Sequence, residues 1–170
     1  VDDQRKEVAE GEVGILEVRG PNVFKGYWQM PEKTAEEFRE DGYFITGDLA
    51  SRDGEGRITL VGRNKDMIIS GGLNIYPIEI ETCINEMSGV VESAVIGVPH
   101  DDIGEGVDAI IVSESEGGVS EEQVYAALEG QIARFKQPKK IVFVDSLPRN
   151  SMGKVQKNVL RDTYKNLFAD

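Results

Sequence analysis

The 170-residue chain is short of several residue types and features, and each shortage closes off a class of function. It has one cysteine, Cys83, so an internal disulfide is impossible. Cys83 falls at an apolar position of an expected helix, where a thiol behaves as a small buried hydrophobe. An unpaired thiol fits a reducing, cytoplasmic compartment. There is one histidine, His100, in the sequence Pro99-His100-Asp101-Asp102. No second His or Cys lies nearby, so it reads as a loop residue and no metal site is expected. One histidine also leaves no Ser-His-Asp set to assemble. No apolar run approaches the roughly 18 residues of a membrane span, and no signal peptide is visible. The chain opens at Val1 in a charged stretch without an initiator methionine, and reads as a fragment of a longer protein. Neither an internal repeat nor a low-complexity segment is present.

Charge is plentiful but uneven. The net charge is -12, yet residues 134–170 carry nine Lys/Arg against three Asp/Glu. A basic end on an acidic chain suggests a local anionic ligand rather than nucleic acid. A solvated helix face reads equally well.

Along the chain, residues 11–20 alternate as a strand and residues 22–28 form an extended stretch with an aromatic end. Residues 31–38 suit a short helix with Pro31 in its first turn. Asp41-Gly42 signals a turn before a short strand at 43–46. A second turn, Asp53-Gly54-Glu55-Gly56, precedes strands at 57–61 and 67–70. After Gly71-Gly72, Pro77 opens a helix with Ile80, Cys83, Ile84 and Met87 at i, i+3, i+4 and i+7, and Gly89 stops it. Residues 90–98 and 107–113 are strand-like. Ser120 and Gln123 have capping-box spacing ahead of Val124, Leu128 and Ile132. A strand at 141–144 and an amphipathic helix with Val155, Val159, Leu160 and Tyr164 complete the pattern. The expected architecture is α+β. Residues 66–170 form a small sheet packed with helices, residues 62–65 a linker of glycine and polar residues, and residues 1–61 an incomplete β-rich part.

Four segments carry chemistry: Gly42-Tyr43-Phe44-Ile45-Thr46-Gly47-Asp48; the run from Gly62-Arg63-Asn64-Lys65-Asp66 through Ser70-Gly71-Gly72-Leu73-Asn74-Ile75-Tyr76-Pro77 to Glu81; Phe135-Lys136-Gln137-Pro138-Lys139-Lys140; and Leu147-Pro148-Arg149-Asn150-Ser151-Met152-Gly153-Lys154-Val155. In this order and spacing they resemble the adenylate-forming superfamily of acyl-CoA synthetases, peptide-synthetase adenylation domains and luciferases. The likeness runs from about Gly11 to the C-terminus, and the last segment is most similar to malonyl-CoA synthetases. It implies an AMP-forming acid–thiol ligase of fatty-acid metabolism that uses ATP, Mg²⁺ and coenzyme A. Residues 1–61 would be the end of the large N-terminal domain, and 66–170 the small mobile C-terminal domain.

Each residue has a bland reading beside the one the resemblance implies. A carboxylate at Asp48 can accept two hydrogen bonds from a ribose diol; Thr-Gly-Asp is otherwise a turn. Arg63 offers a fixed fork of donors to ribose or phosphate, or is a surface arginine. Lys65 matches the hinge about which the small domain rotates between adenylation and thioester formation, or is an exposed lysine. Gly71 and Gly72 line the tunnel for the pantetheine arm of CoA, or make a tight turn feeding the Pro77 helix. Leu73 departs from the polar residue of some relatives and takes no role. Lys154 matches the adenylation lysine, which neutralises charge building on the α-phosphate. A cation at the start of the last helix opposes the helix dipole, a mild cost that favours a functional reason. The P-loop pattern fails here. Lys139, with Lys136 and Lys140, would meet the phosphates of CoA or form a solvated edge.

The phosphate loop, the acyl pocket and the Mg²⁺ carboxylate of relatives have no counterpart in these residues, so the fragment alone is expected to be inactive. A malonate- or methylmalonate-specific ligase, a medium- or long-chain fatty-acid ligase, an adenylation domain serving a carrier protein and a non-catalytic module are the competing readings. Retention of Asp48, Arg63 and Lys154 disfavours the last. In bacterial relatives the lysine matching Lys154 can be acetylated, which makes a lysine acetyltransferase an expected partner.

Overall fold

The computed structural model describes residues 1–114 and 118–168. The sequence-expected last unit therefore ends in residues 169–170 that lie outside the described residues. The chain divides into two compact units, Val1–Lys65 and Asp66–Asp170.

The first unit is built on a three-stranded antiparallel sheet of β1 (Val13–Val18), β2 (Phe44–Arg52) and β3 (Ile58–Arg63), in that order. Helix α1 (Pro31–Glu37) has its proline in the first turn, where a missing N–H costs nothing. The aromatic stretch ahead of it anchors the helix. Phe24 stacks edge-on against Tyr27, Phe38 and Phe44 with ring centroids 5.0–5.2 Å apart. Strand β2 is longer than the sequence suggests. It runs on through Thr46-Gly47-Asp48 to Arg52, because paired strands on both sides supply its backbone hydrogen bonds. Gly62 and Arg63 are the last residues of β3, and a 3-10 turn occupies Asn64–Asp66. The linker-like composition of 62–65 thus overlaps a strand end.

The second unit contains β4 (Ile68–Ser70), β5 (Leu73–Ile75), α2 (Pro77–Asn85), β6 (Val90–His100), β7 (Gly104–Ser113), α3 (Glu121–Leu128), β8 (Lys140–Phe143) and α4 (Lys157–Tyr164). The sheet order is β5-β4-β7-β6, with β8 parallel to β7. Strand β5 is the one element that the sequence pattern does not show: three residues are too few for a periodicity. Helices cover both faces of the sheet, so β7 reads as a nearly continuous apolar run rather than an alternating one. Val107, Ala109 and Ile111 face Ile80, Ile84, Val124 and Leu128 of α2 and α3. Ile110 and Val112 face Leu147 and Leu160, on the side of α4. The i, i+3, i+4 spacing of α2 buries Ile80 and Ile84 fully and Cys83 in part; burial pushes the Cys83 thiol up from its ordinary pKa. The expected capping box is present: Ser120 N–H donates to Gln123 Oε1 at 2.8 Å, and Gln123 N–H to Ser120 Oγ at 3.3 Å.

Among the described residues, no helix is long and apolar enough to cross a membrane. His100 is the last residue of β6 rather than a loop residue, and its ring packs on Phe168 at 4.9 Å.

Candidate functional site

In the first unit, Asp48 owes its position to two interruptions of the sheet. Between the pairs Ile15↔Leu49 and Glu17↔Ile45, β1 supplies only Leu16 while β2 supplies Thr46, Gly47 and Asp48. The extra residues bulge out, which Gly47 accommodates at φ +73. Thr46 stitches the bulge closed. Its hydroxyl donates to Leu16 O at 2.8 Å and accepts Asp48 N–H at 3.0 Å. A second irregularity, between Leu49 and Ala50, lies opposite the end of β3.

Asp48 and Arg63 then face each other across β2 and β3. Arg63 Nε lies 2.9 Å from Asp48 Oδ1, and Arg63 Nη1 donates to Thr46 O at 3.2 Å. Asp48 thus lies inside β2 rather than in the turn that Thr-Gly-Asp suggests. The Arg63 side chain is 50% exposed, so the ion pair contributes at most about 1 kcal/mol. That does not repay a double break in the ladder. Bulges recur beside active sites because they re-aim side chains, and here they leave Asp48 Oδ2 and Arg63 Nη2 side by side without a hydrogen-bond partner among the described residues. Thr46→Val removes both bonds that hold the bulge. It is expected to cost about 1–3 kcal/mol, read as an earlier urea midpoint with an unchanged slope.

In the second unit, Gly71 and Gly72 sit between two strands, not between a strand and a helix. Ser70 pairs with Leu73, and the glycines form the two-residue hairpin turn at φ +57 and +77. Two positive values are the signature of the turn that matches strand twist, and glycine adopts it without strain. Gly71 N–H donates to Ile103 O at 2.8 Å. A Cβ at either glycine would meet nothing within 4 Å, so the backbone lies open on that side.

The basic run is not a common patch. Lys136 is paired with Glu79 at 2.7 Å, and Lys140 donates to Leu167 O and lies 5.0 Å from the Phe168 ring. Lys139 is exposed, with its backbone N–H donated to Val107 O at 2.7 Å.

Lys154 lies three residues before α4, so the helix-dipole cost expected from the sequence does not arise. It sits instead in a tight turn organised by Asn150. Asn150 Oδ1 accepts the N–H groups of Met152 and Lys154, both at 3.0 Å. Asn150 N–H returns to Lys154 O at 3.0 Å. Gly153 takes φ +78, and Arg149 Nη1 donates to Gly153 O at 2.6 Å while its other nitrogen pairs with Glu92. The backbone of Lys154 is therefore pinned. Its exposed ammonium has no ion-pair or hydrogen-bond partner among the described residues. Asn150 and Thr46 are the positioning residues that the sequence analysis did not single out. Asn ahead of Gly was the available signal for the first; a bulge leaves none for the second.

No group of three or more His, Cys, Asp or Glu able to hold a metal ion occurs among the described residues.

Residues 79–154 match the family model of the AMP-binding enzyme C-terminal domain, and Lys154 is the last residue of that match. Over 98% of its length the chain is similar to ATP-bound MatB from Rhodopseudomonas palustris, with 59% identity, a TM-score of 0.89 and 33% of that chain covered. An octahydro-indenyl-propanoyl:CoA ligase of Rhodococcus jostii is 46% identical over 94% of the chain and 31% of its own length. Indoleacetate–CoA ligase of Aromatoleum aromaticum is 44% identical over 95% of the chain and 31% of its own length. The chain thus spans about a third of the length of the relatives it matches.

Proposed function

We propose that these residues form the C-terminal third of an AMP-forming acyl-CoA synthetase, which activates a carboxylic acid with ATP and transfers the acyl group to coenzyme A. The observation that carries the reading is Lys154: a cation with a fixed backbone and no partner for its ammonium among the described residues. Identities of 44–46% to CoA ligases over more than nine-tenths of the chain support it.

In this reading Asp48 and Arg63 bind the ribose and neighbouring phosphate. Asp48 accepts from the diol, and Arg63 orients it and offers its remaining donors. Lys154 meets charge developing at the α-phosphate as the substrate carboxylate attacks and pyrophosphate departs. Gly71 and Gly72 present open backbone to the pantetheine arm, and Lys139 supplies a positive charge toward the CoA phosphates. Mg²⁺ would be held by residues upstream of these.

Lys65 is the hinge, the last residue before the second unit. Proline there fixes φ and pushes Asn64 out of helical geometry. Lys65→Pro is expected to leave pyrophosphate release within about threefold while slowing thioester formation about tenfold or more. Single-turnover assays of the two half-reactions read this directly.

The acid is malonate or methylmalonate in this proposal. The last segment, Leu147 to Val155, and the likeness to MatB favour it over a fatty-acid substrate. The deciding assay follows pyrophosphate release by the full-length protein over malonate, methylmalonate, acetate and a long-chain fatty acid, with and without CoA. CoA-stimulated turnover confined to the dicarboxylates supports the reading. A monocarboxylate preference moves the substrate but not the chemistry. Release indifferent to CoA points to a carrier-protein acceptor. Acetylation of Lys154 would cancel its charge and act as an off-switch for adenylation.

A further inference from the structure

Among the described residues, Asp108 is the one whose buried side-chain oxygens have no hydrogen-bond partner, and the proposed chemistry does not use it. It lies on β7, fully buried, and neither carboxylate oxygen has a hydrogen-bond partner. A lone ionised carboxylate in such a place is costly, so its environment favours the neutral acid. Burial pushes the Asp108 carboxyl up to about 7, against the opposing pull of the Lys140 ammonium and of the Lys140 backbone N–H, which is near it but outside hydrogen-bond geometry.

What lies beside it is a seat for the end of the chain. Asp108 and Lys140 are register partners on parallel strands, which places their side chains on the same face of the sheet. Lys140 does not reach back to Asp108. Its ammonium donates to Leu167 O and sits 5.0 Å from the Phe168 ring. Phe168 in turn occupies the space over Gly106, where a Cβ would meet the ring at 2.3 Å, and its ring stacks on His100. Gly106 and Asp108 are two residues apart on one strand and so share this face. The buried acid therefore adjoins the contacts that hold residues 165–168.

We propose that Asp108 and Lys140 form a proton-operated latch on the C-terminal segment. While Asp108 is neutral, Lys140 is free to bind the Leu167 carbonyl and Phe168 stays in its seat. When Asp108 loses its proton to solvent, the carboxylate draws the Lys140 ammonium away, and the Leu167 carbonyl and the Phe168 ring lose their common partner. Lys165 lies in the segment itself, and Asp162 lies on α4 ahead of it. Lys157 and Arg161 of α4 are held by Glu81 and Asp66, and Tyr164 packs on the apolar cluster. Tyr125 is on α3, which packs on the other face; burial is the main cause of its raised pKa, and Glu121 and the Asp108 carboxylate add to it. His100 touches Phe168 itself and is the one rival switch.

The sign follows from linkage. A carboxyl whose pKa is raised in the folded state stabilises the docked form fully below its unfolded value near 4, and that stabilisation is lost as pH rises through about 7. Peptide-resolved hydrogen–deuterium exchange of the full-length protein, corrected for intrinsic rate, tests it. Protection of residues 165–168 is expected to fall about tenfold as pH rises through about 7, with α4 unchanged. Asp108→Asn should keep the segment protected throughout, Lys140→Met should leave it unprotected throughout, and His100→Gln should respond like the parent. Protection that does not change with pH overturns the latch. So does a parent-like response in Asp108→Asn, full protection in Lys140→Met, or loss of the response in His100→Gln alone.

Discussion

In the full-length protein, Lys154→Ala is expected to slow acyl-adenylate formation by about 10²–10³-fold, the range for removing one preorganised charge-stabilising donor. The physical ground is the Asn150 turn. Two bonds to Asn150 Oδ1 and the return bond from Asn150 N–H fix the Lys154 backbone before substrate arrives, so little ordering remains for the reaction step. The same variant should convert pre-made acyl-adenylate and CoA to thioester at close to the parent rate, because that step breaks the acyl C–O bond, with AMP leaving as the phosphate dianion, and changes no bond at phosphorus. Lys154→Arg keeps the charge but not the point geometry, and recovers only part of the loss. Rapid-quench measurement of the two half-reactions separates the outcomes. Equal loss in both would mean that Lys154 holds the unit together rather than serving adenylation.

Glu81→Ala is expected to destabilise the second unit by about 3–5 kcal/mol, the scale for breaking a buried ion pair from one side. Glu81 Oε1 accepts Val95 N–H at 2.7 Å and lies 2.6 Å from Lys157 Nζ. Its side chain is 11% exposed and that of Lys157 is 16% exposed, so solvent screens the pair weakly. One carboxylate thereby closes the open edge of β6, ties it to α2 and holds α4 in place. Truncation leaves a buried N–H without an acceptor and a cation without a partner. Set against a typical domain stability of about 5–15 kcal/mol, this is a large fraction. Glu81→Gln keeps an acceptor for Val95 and should lose less. Urea unfolding monitored in the second unit would sink the idea if the alanine variant lay within 1 kcal/mol of the parent.

Much of the scaffold was legible along the chain. The i, i+3, i+4 spacing at Ile80, Cys83 and Ile84, the Ser120–Gln123 box and the apolar runs on either side of His100 are local signals, and each produced the element it indicated. The misreadings share one cause. Strand β5, the full length of β2 and the hairpin role of Gly71-Gly72 depend on which strand pairs with which, and a short strand has no periodicity until its neighbour is known. Lys154 was placed at a helix start because Val155 fits the apolar face of α4. The structure uses Val155 in a bridge with Arg149 instead, and the helix begins later.

For the site, residue types and their order already named Asp48, Arg63, Gly71, Gly72, Lys139 and Lys154 as candidates, since the chemistry of a carboxylate, a guanidinium or an ammonium is local. Their environments were not. Thr46 closing a bulge, Asn150 pinning a turn, Lys136 and Lys140 already engaged and Glu81 bridging α2, β6 and α4 all involve groups brought together by pairing and packing. Asp108 shows the division most sharply. On the chain it is one acidic residue among many, and only the packing of helices on both faces of the sheet makes it a buried acid beside a lysine that holds Leu167. Sequence determined which groups are present and where helices and long strands form. Tertiary structure decided which of those groups lose water and which partner each one keeps, because desolvation and pairing depend on neighbours that are distant along the chain.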